Sequence, residues 1–566
     1  MKLRWKIPLH TCLLVAILTA CAPFAERSTA QRSSAAKPET VSITLLSTTD
    51  LHGRLEAWDY SANKPANLGL VKIATLVKQA RTESPDALLV DIGDMVQDPQ
   101  SMLTNFYLTK HPKDMNPNIA LMNHLRYDAM AAGNHEFLFT PEPLWTLKGA
   151  STFPWLCANV KQTYTQGVPY FQPYIIKTVK GVRVGIVAFV APVAPKTKEY
   201  DFEPILESAK RVIPELRPQV DLLVVLLHSG FARDPLGDGA TRVQVPGENV
   251  APEFAEQIPG VDVIIYGHTH TEMPEKLING VLMTEAKFWA QSLARVDVTM
   301  TKNADGRWAV ASKHARTIPV TADVQTDPET AAVIQPYRQE LDRYLDTPIA
   351  TAAMDLSGTH ARYEDTPLLD VVQQAQMEAA HADVSMSNLL DERVKLARGP
   401  ITVRQAGTLY PLSDSANVVA MTGAGLKEAL EHSASFYPQW PPKRGVALTL
   451  PTVKPDQAAG VSYAIDLTKP VGSRVRNLRF NGKPLDLAQK LRVAVSTNRR
   501  FGDSGYTMYK DLPVVSQSGD MRAVVIEYLG RAKSIPAEAD RNWRITPRAA
   551  VVAMEKLADA QAVAQK

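Results

Sequence analysis

Five apolar runs in the first 270 residues of this chain each end in a short block of Asp, Asn or His, with a glycine nearby. Short apolar runs bounded by turn residues are typical of buried strands. Stretches with helical periodicity alternate with these strands, and this alternation predicts an α/β domain. The runs are residues 41–46, 86–91, 128–132, 221–227 and 261–266.

The blocks that follow these strands hold five of the chain's twelve histidines. Ligands of open α/β sheets gather at the carboxyl ends of the strands, and glycine permits the tight turns that bring loops together. One such histidine could be an ordinary surface residue, but five in equivalent positions indicate a shared site. Imidazole mixed with carboxylate suits Zn, Mn, Fe or Co better than Ca or Mg alone. The blocks are Asp50-Leu51-His52, Gly93-Asp94, Gly133-Asn134-His135-Glu136, His228-Ser229-Gly230 and Gly267-His268-Thr269-His270.

Asp50 and His52 lie two residues apart, directly after the first strand. If the segment stays extended, both side chains point to the same side of the chain. The pair alone is a weak signal of metal binding, and it gains meaning from the four later blocks.

The N-terminus has the pattern of an export signal. Three basic residues precede a mostly apolar segment at 7–20, which is short for a membrane span. The sequence Leu18-Thr19-Ala20-Cys21 resembles a bacterial lipobox, which implies removal of 1–20 and acylation of Cys21. Residues 21–40 would form a flexible tether. Ala22 follows in place of an aspartate that favours inner-membrane retention, so we expect an anchor in the outer membrane, facing the periplasm. Simple secretion with cleavage nearby is the alternative.

Charge and cysteine content give two further expectations. Removal of the signal takes away three basic residues and leaves 59 basic and 59 acidic ones. This balance gives no electrostatic case for binding a nucleic-acid polymer. Cys157 is then left without an internal disulfide partner, and we expect it to be a small core residue.

Together, the five blocks resemble those of metallophosphoesterases, and their order more closely resembles the 5′-nucleotidase family. That family includes periplasmic 2′,3′-cyclic-nucleotide phosphodiesterase/3′-nucleotidases, and the resemblance covers nearly the whole mature chain. It implies a four-layer αββα catalytic sandwich at 41–320 and a second α/β substrate-binding domain at 347–548. A linker helix is expected at 321–346, where Asp327-Pro328-Glu329 begins a helical run. We assign no function to the tail at 549–566.

The resemblance also implies two divalent metal ions, which would be Zn, Mn, Co or Fe. Such ions activate water and neutralise charge that develops on the phosphoryl oxygens. Asp94 would bridge the two ions. The remaining ligands would be Asp50, His52 and His270 for one ion, and Asn134, His228 and His268 for the other.

His135 would lie beside the metals and supply a hydrogen bond or a proton to the phosphoryl or leaving oxygen. Some 5′-nucleotidases carry an Asp three residues after this histidine, where this chain has Leu138. The cyclic phosphodiesterase branch lacks that Asp too. We expect Glu136 to brace its loop rather than to take part in the chemistry.

The segments Gly399-Pro400-Ile401-Thr402-Val403-Arg404 and Phe501-Gly502-Asp503-Ser504-Gly505 resemble the family's C-terminal domain. In relatives this domain clamps the base between aromatic rings. Phe501 would stack on the base, and Asp503 would accept from ribose hydroxyls. Asn388, Arg393 and Arg362 would contact the sugar and phosphate. The opposing ring is left open among Phe436, Tyr437 and Trp440, which could equally be core residues.

The resemblance favours a 2′,3′-cyclic-nucleotide 2′-phosphodiesterase with 3′-nucleotidase activity, because Leu138 and the segment at 399–404 are closer to that branch. We expect a monomer. Its substrates would be 2′,3′-cyclic nucleotides and 3′-monophosphates. A 5′-nucleotidase or UDP-sugar hydrolase, acting on 5′-monophosphates or nucleoside-diphosphate sugars, is an alternative. An alternative of another class is a surface lipoprotein that binds nucleotides without turnover.

Overall fold

The computed structural model describes residues 38–59, 64–96, 101–138, 141–163, 170–192, 199–232, 246–412, 414–445 and 447–564. The predicted signal peptide and Cys21 lie outside these residues, as does the predicted tether up to residue 37.

The first part of the chain alternates strands and helices as the sequence predicts. Its strands are β1 (Thr40–Thr48), β2 (Trp58–Asp59), β3 (Lys64–Pro65), β4 (Leu88–Asp91), β5 (Ala129–Ala131), β6 (Trp155–Leu156), β7 (Val160–Gln162), β8 (Tyr174–Val179), β9 (Val182–Val190), β10 (Tyr200–Phe202), β11 (Leu222–His228), β12 (Val263–Tyr266), β13 (Met273–Ile278), β14 (Val281–Glu285), β15 (Ser292–Lys302) and β16 (Trp308–Pro319). Its helices are α1 (Leu70–Glu83), α2 (Met102–Lys110), α3 (Pro117–His124), α4 (Pro141–Ala150), α5 (Ile205–Leu216) and α6 (Ala251–Gln257), with short 3-10 turns at His135–Leu138 and Arg217–Gln219.

Two six-stranded mixed sheets form the centre of this domain. One has the order β16-β15-β1-β4-β5-β6, and the other has the order β13-β14-β12-β11-β9-β8. In the first sheet β1, β4, β5 and β6 run parallel to one another. In the second, β9, β11, β12 and β14 are also parallel. The remaining strands pair antiparallel at the sheet edges.

The two sheets pack face to face and carry helices on their outer faces. In β11, Leu222 and Val224 point into the core between the sheets, while Leu223 and Val225 point toward α5 and α6. A strand that is buried on both faces needs a continuous apolar sequence, which explains the run at 221–227. Helices α1, α3 and α4 cover the outer face of the first sheet. This arrangement confirms the predicted four-layer αββα sandwich.

Cys157 lies in the core as the sequence predicts. Its side chain is buried, and burial raises the pKa of the thiol to about 12. A thiol with such a pKa stays protonated and is a poor nucleophile.

A single long helix, α7 (Pro328–Leu345), follows the first domain. Asp327 caps it by accepting a hydrogen bond from the Thr330 amide at 2.8 Å, and proline occupies the first helical turn. Both are typical signals of a helix start. Arg404 of the second domain pairs with Asp342 at 2.9 Å, so α7 contacts both domains.

The second part of the chain is a further α/β unit, as predicted. Its strands are β17 (Pro348–Ala352), β18 (Leu356–Ser357), β19 (Val384–Ser387), β20 (Lys395–Leu396), β21 (Gly399–Thr402), β22 (Ser415–Thr422), β23 (Gln457–Ala459), β24 (Val461–Asp466), β25 (Val475–Phe480), β26 (Lys483–Pro484), β27 (Lys490–Ser496), β28 (Val514–Asp520), β29 (Ser534–Ile535) and β30 (Trp543–Thr546). Its helices are α8 (Pro367–Ala380), α9 (Val403–Gly407), α10 (Gly423–Ser435), α11 (Thr497–Arg500), α12 (Met521–Ala532) and α13 (Arg548–Ala564).

The main sheet of this unit has the order β23-β19-β27-β22-β28, and a four-stranded sheet has the order β26-β25-β24-β30. Helices α8 and α12 pack on one side of the main sheet and α10 on the other, each with its own apolar core. Across the part of the chain that the structure describes, no helix combines the length and the apolar character that a membrane crossing requires.

Candidate active site

The five histidine-containing and aspartate-containing blocks all lie at carboxyl ends of parallel strands. Three follow neighbouring strands of the first sheet, namely β1, β4 and β5. The other two belong to β11 and β12, which are neighbours in the second sheet. The His228 Nδ1 atom donates to the Ile92 carbonyl at 2.8 Å and so connects the two sheets at this edge.

Asp50, His52 and His270 form one group of possible metal ligands, with ligand atoms that all lie within 4.8 Å of one another. The Nε2 atoms of the two histidines are 3.1 Å apart. The Nε2 atom of His270 lies 3.5 Å from Asp50 Oδ1. Two imidazole nitrogens that face each other this closely need a proton or a cation between them.

Asp94, His228 and His268 form a second group within the same distance limit. The Nε2 atom of His228 lies 3.1 Å from Asp94 Oδ2 and 2.9 Å from Asn134 Oδ1, so the predicted amide ligand lies beside this group. Asp94 Oδ2 is also 3.9 Å from the Nε2 atom of His52 in the first group. The Asp94 carboxylate therefore lies between the two groups.

The backbone at these residues is not extended, and the expectation of an extended Asp50-to-His52 segment is wrong. Both have left-handed backbone conformations, with φ values of 49° and 45°. Asp94, His268 and His270 are left-handed as well, with φ values of 54°, 78° and 56°. Residues with a Cβ atom rarely adopt this conformation, and such strain is concentrated at functional sites.

Two glycines allow the loops after β4 and β5 to approach each other. A Cβ atom on Gly93 would lie 2.3 Å from the Gly133 nitrogen, and one on Gly133 would lie 2.2 Å from the Asp94 nitrogen. Only residues without a side chain fit here, so these glycines set the distance between Asp94 and Asn134.

Glu136 is fully buried beneath these loops and accepts four backbone hydrogen bonds. One carboxylate oxygen accepts from the amides of Gly133 and Asp94, and the other accepts from Met95 and Val96, at 2.7 to 3.3 Å. Burial, together with the negative charge of Asp94, raises the pKa of Glu136 to about 7. These contacts agree with the expectation that Glu136 braces the loop.

The charges of the cluster depend on one another. Burial disfavours the charged forms, but the neighbouring histidines His228 and His135 outweigh it and hold the pKa of Asp94 well below its ordinary value. Burial also opposes the charge of His228, yet Asp94 and Asp50 raise its pKa to about 10. The two buried carboxylates and the His228 ring thus stabilise each other's charged forms. Divalent cations can replace the proton on that ring, and carboxylate, imidazole and amide oxygen are suitable ligands for them.

His135 lies at the edge of the cluster. Its ring is 4.8 Å from that of His52, and its Nε2 atom is 3.9 Å from Asp94 Oδ2. One third of its side chain is exposed. The Nδ1 atom is buried and has no hydrogen-bond partner among the residues that the structure describes. Because residue 138 is a leucine, and an exposed one, no carboxylate orients His135 from that position.

The four polar substrate residues predicted in the second domain fall into one connected network and two separate ion pairs. Asn388 donates to Asp456 at 2.6 Å, Asp456 accepts from Arg499 at 2.9 Å, and Arg499 donates to Asp503 at 2.8 Å. Asp456 and Arg499 are buried and were not predicted. The only sequence signal for Arg499 is its position two residues before Phe501.

The two other arginines already have acidic partners. Arg362 forms a bidentate pair with Glu392 at 2.9 and 3.0 Å. Arg393 pairs with Asp391 at 2.9 Å, and 91% of its side chain is exposed. Arg393 is therefore open to a ligand, whereas the guanidinium of Arg362 would have to exchange a carboxylate for a phosphate.

The aromatic candidates differ in exposure. Phe501 is 71% exposed, the highest value among the large apolar side chains in the described part of the chain, and fits a stacking surface. Tyr437 is not a clamp residue, because it is buried in the core and its hydroxyl donates to the Arg362 carbonyl at 2.6 Å. Phe436 and Trp440 are partly buried against the same core.

Comparison with known proteins identifies both domains. The calcineurin-like phosphoesterase family matches residues 43–272, and the 5′-nucleotidase C-terminal domain matches residues 348–511. The first match contains all seven predicted metal ligands, and the second contains the five predicted substrate residues.

Related proteins share this domain pair along most of the chain. A 2′,3′-cyclic-nucleotide 2′-phosphodiesterase/3′-nucleotidase of Haemophilus influenzae is 28% identical over 90% of this chain and 88% of its own length. The human 5′-nucleotidase is 27% identical over 87% of this chain and 89% of its own length. A trifunctional nucleotide phosphoesterase protein of Bacillus subtilis is 29% identical over 90% of this chain, but this chain spans only 39% of that protein.

Solved structures agree with the fold. A putative 5′-nucleotidase from Staphylococcus aureus has a TM-score of 0.62 and 24% identity, and covers 89% of this chain and 100% of its own. The NAD nucleotidase of H. influenzae has a TM-score of 0.57 and 17% identity, over 90% of this chain and 100% of its own. The chain therefore belongs to the 5′-nucleotidase family of metal-dependent phosphoester hydrolases, in which a calcineurin-like phosphoesterase domain precedes a 5′-nucleotidase C-terminal domain.

Proposed function

We propose that this protein is a 2′,3′-cyclic-nucleotide 2′-phosphodiesterase and 3′-nucleotidase that acts as a monomer. The observation that carries the hydrolase proposal is the convergence of Asp50, His52, Asp94, His228, His268 and His270 into two adjoining groups. The choice of branch is supported by Leu138, which takes the position where a partner carboxylate would orient His135. The relative from H. influenzae bears this activity in its name.

The two groups would hold one divalent ion each, of Zn, Mn, Co or Fe. Asp50, His52 and His270 would bind one ion, Asn134, His228 and His268 the other, and Asp94 would contact both. When bound, such ions act as Lewis acids that stabilise negative charge on the phosphoryl oxygens.

His135 would act on the leaving oxygen. In the first step, water would add to phosphorus and the bond from phosphorus to the 2′ oxygen would break. That oxygen would take a proton from the His135 ring, which would regain one from the attacking water. In the second step, a second water would add to phosphorus and the bond to the 3′ oxygen would break in the same way, which releases phosphate and the nucleoside. The ring is one third exposed and close to Asp94, so it can reach a substrate at the edge of the cluster.

The second domain would hold the nucleoside. Phe501 offers an exposed face for stacking on any base, and stacking of this kind contributes about 1–3 kcal/mol per base. Arg499 fixes Asp503 at 2.8 Å, so the Asp503 carboxylate is held ready for ribose hydroxyls. Asn388 and the exposed Arg393 would complete the contacts to sugar and phosphate.

A substrate panel with the purified mature protein tests the proposal. With added Mn²⁺ or Co²⁺, we expect release of phosphate from 3′-AMP and ring opening of 2′,3′-cAMP. Much faster cleavage of 5′-AMP or of a UDP-sugar would assign the protein to the other branch. Nucleotide binding without turnover, with metal present, would instead support a non-catalytic lipoprotein.

We also propose that the mature protein is anchored by acylated Cys21 in the outer membrane, facing the periplasm. The support is the lipobox-like sequence Leu18-Thr19-Ala20-Cys21 and the alanine that follows it. Mass spectrometry of the mature N-terminus should find a lipid on Cys21, and Cys21→Ser should release the protein from the membrane fraction. An unmodified mature N-terminus would refute the anchor.

A further inference from the structure

The ring of His268 contacts Glu248, a residue that belongs to none of the five blocks. The Nε2 atom of His268 lies 2.9 Å from Glu248 Oε1. Both side chains are largely buried, with 14% and 20% of their surfaces exposed. The pair joins residues that are 20 positions apart, so the contact is set by the fold and not by local chain geometry.

The hydrogen bond determines which nitrogen of His268 can bind a cation. A carboxylate only accepts, so Nε2 carries the proton and Nδ1 keeps the lone pair. His228 has the reverse arrangement, because its Nδ1 atom donates to the Ile92 carbonyl, so that Nε2, which lies beside Asp94 and Asn134, is the nitrogen that would bind a cation. Each histidine of the second group is thus held in one tautomer, one by a neutral carbonyl and the other by a carboxylate.

Glu248 is itself fastened to the loop that follows His228. The Ser229 hydroxyl donates to the Glu248 carbonyl at 2.6 Å and accepts from the Val250 amide at 3.0 Å. The Gly230 amide donates to the Asn249 side chain at 3.2 Å, and the Gly230 carbonyl accepts from the Ala251 amide at 3.0 Å. These four bonds fix the backbone from which the Glu248 side chain extends.

The same two loops also touch directly. A Cβ atom on Gly230 would lie 2.3 Å from the hydroxyl of Thr269, the residue after His268. The loop after β11 and the loop after β12 are therefore in contact at Gly230 and are bridged by Glu248. These contacts join the loop that carries His228 to the loop that carries His268.

We propose that Glu248 is a positioning residue for the second metal ion: it fixes the tautomer and the direction of the His268 ring, and it couples that ring to the His228 loop. This inference rests on the proposed metal-dependent function. Carboxylates that orient metal-bound histidines change metal affinity by 10- to 100-fold when they are replaced.

Metal binding to the full-length mature protein tests this role without measuring turnover. We would titrate the apo protein with Mn²⁺ against a chelator of known affinity and determine two stepwise dissociation constants. In Glu248→Ala we expect one of the two dissociation constants to rise about 10- to 100-fold, with the other unchanged. Glu248→Gln keeps an oxygen acceptor for Nε2 and should fall between Glu248→Ala and the wild type.

Glu256→Ala and Glu256→Gln are matched controls, because Glu256 is an exposed acid on α6 in the same segment. They should bind both ions like the wild type. Thermal unfolding of each apo variant reports whether the fold is intact, and Glu248→Gln keeps the test valid if Glu248→Ala does not fold.

Three results distinguish the possibilities. If the wild type binds two ions and both Glu248 variants match it, the positioning role is refuted while the proposed function stands. If both steps weaken equally, Glu248 supports the fold in general and the role is again refuted. If the wild type binds no divalent ion at all, the proposed function fails and this inference fails with it.

Discussion

Replacement of Glu136 by glutamine separates a structural brace from a catalytic group. The side chain is fully buried and keeps its size and shape in the variant. Each of its two oxygens accepts from two backbone amides, on the loops that carry Asp94 and Asn134. Whichever way the glutamine amide turns, its NH₂ group faces two backbone donors in place of an acceptor.

The cost follows from these four contacts. A hydrogen bond to a charged group contributes about 1.5–3 kcal/mol, so the loss of two lowers the free energy of unfolding by about 3–6 kcal/mol. The longest contact, from Val96 at 3.3 Å, is weak, and removal of a buried charge whose pKa is raised offsets part of the loss, so we expect a value of about 1–3 kcal/mol. Domains of ordinary stability have a free energy of unfolding of about 5–15 kcal/mol, so the variant should fold but be clearly less stable than the wild type.

Urea denaturation at pH 8.5 would measure this loss, because the Glu136 carboxyl, with a pKa of about 7, is charged there. Metal content after dialysis would show whether the loops still bind ions. Glu142→Gln, an exposed acid on α4, is the control and should change neither quantity. A Glu136→Gln protein with normal stability and metal content but without turnover would refute the brace and assign Glu136 to the chemistry.

Three further predictions follow from the site and from the second domain. Asp94→Asn should reduce turnover to the level of a metal-free control, since Asp94 lies between both ligand groups; retained turnover would exclude the dimetal mechanism. Phe501→Ala should raise KM for nucleotides about 5- to 100-fold while leaving an aryl phosphate unaffected; an equal loss for both substrates would contradict stacking. Burial and the charges of Asp370 and Asp540 raise the pKa of Asp365 to about 8, against about 4 when unfolded. The folded state therefore loses stability as pH rises from 4 to 8. Asp365→Asn should raise the free energy of unfolding by about 1–3 kcal/mol at pH 8 but not at pH 4, and thermal unfolding at both pH values would measure this.

The first domain was predictable because its strands are buried on both faces. Such strands need unbroken apolar sequence; the run at 41–46 falls within β1, and all of the run at 221–227 except Asp221 falls within β11. The position of the polar blocks after these runs then follows from the rule that sites form at carboxyl ends of parallel strands. No knowledge of the contacts between strands was needed for either step.

The second domain was less predictable because the roles of its polar residues depend on partners that are far away in the sequence. Arg362 looks like a phosphate ligand in the sequence, but Glu392, thirty residues away, neutralises it in the fold. Asp456 reaches Asn388 across 68 residues and has no motif around it. Tyr437 stands in an aromatic cluster, and only its burial shows that it belongs to the core.

The conformation of the ligand residues shows most clearly what residue types cannot encode. Five of the seven predicted ligands have left-handed backbones, although only asparagine and aspartate tolerate this conformation with some ease. Strain of this kind costs about 1–3 kcal/mol per residue and persists only where neighbouring contacts enforce it. Here the loops enforce it on one another: the Asp50 amide donates to the Gly93 carbonyl at 3.0 Å, and the His52 amide donates to the Asp94 carbonyl at 2.8 Å. The His268 amide in turn donates to the Asp50 carboxylate at 3.0 Å. Protein groups satisfy these bonds, so the contacts of the loops with one another hold the backbone of the ligand residues in place.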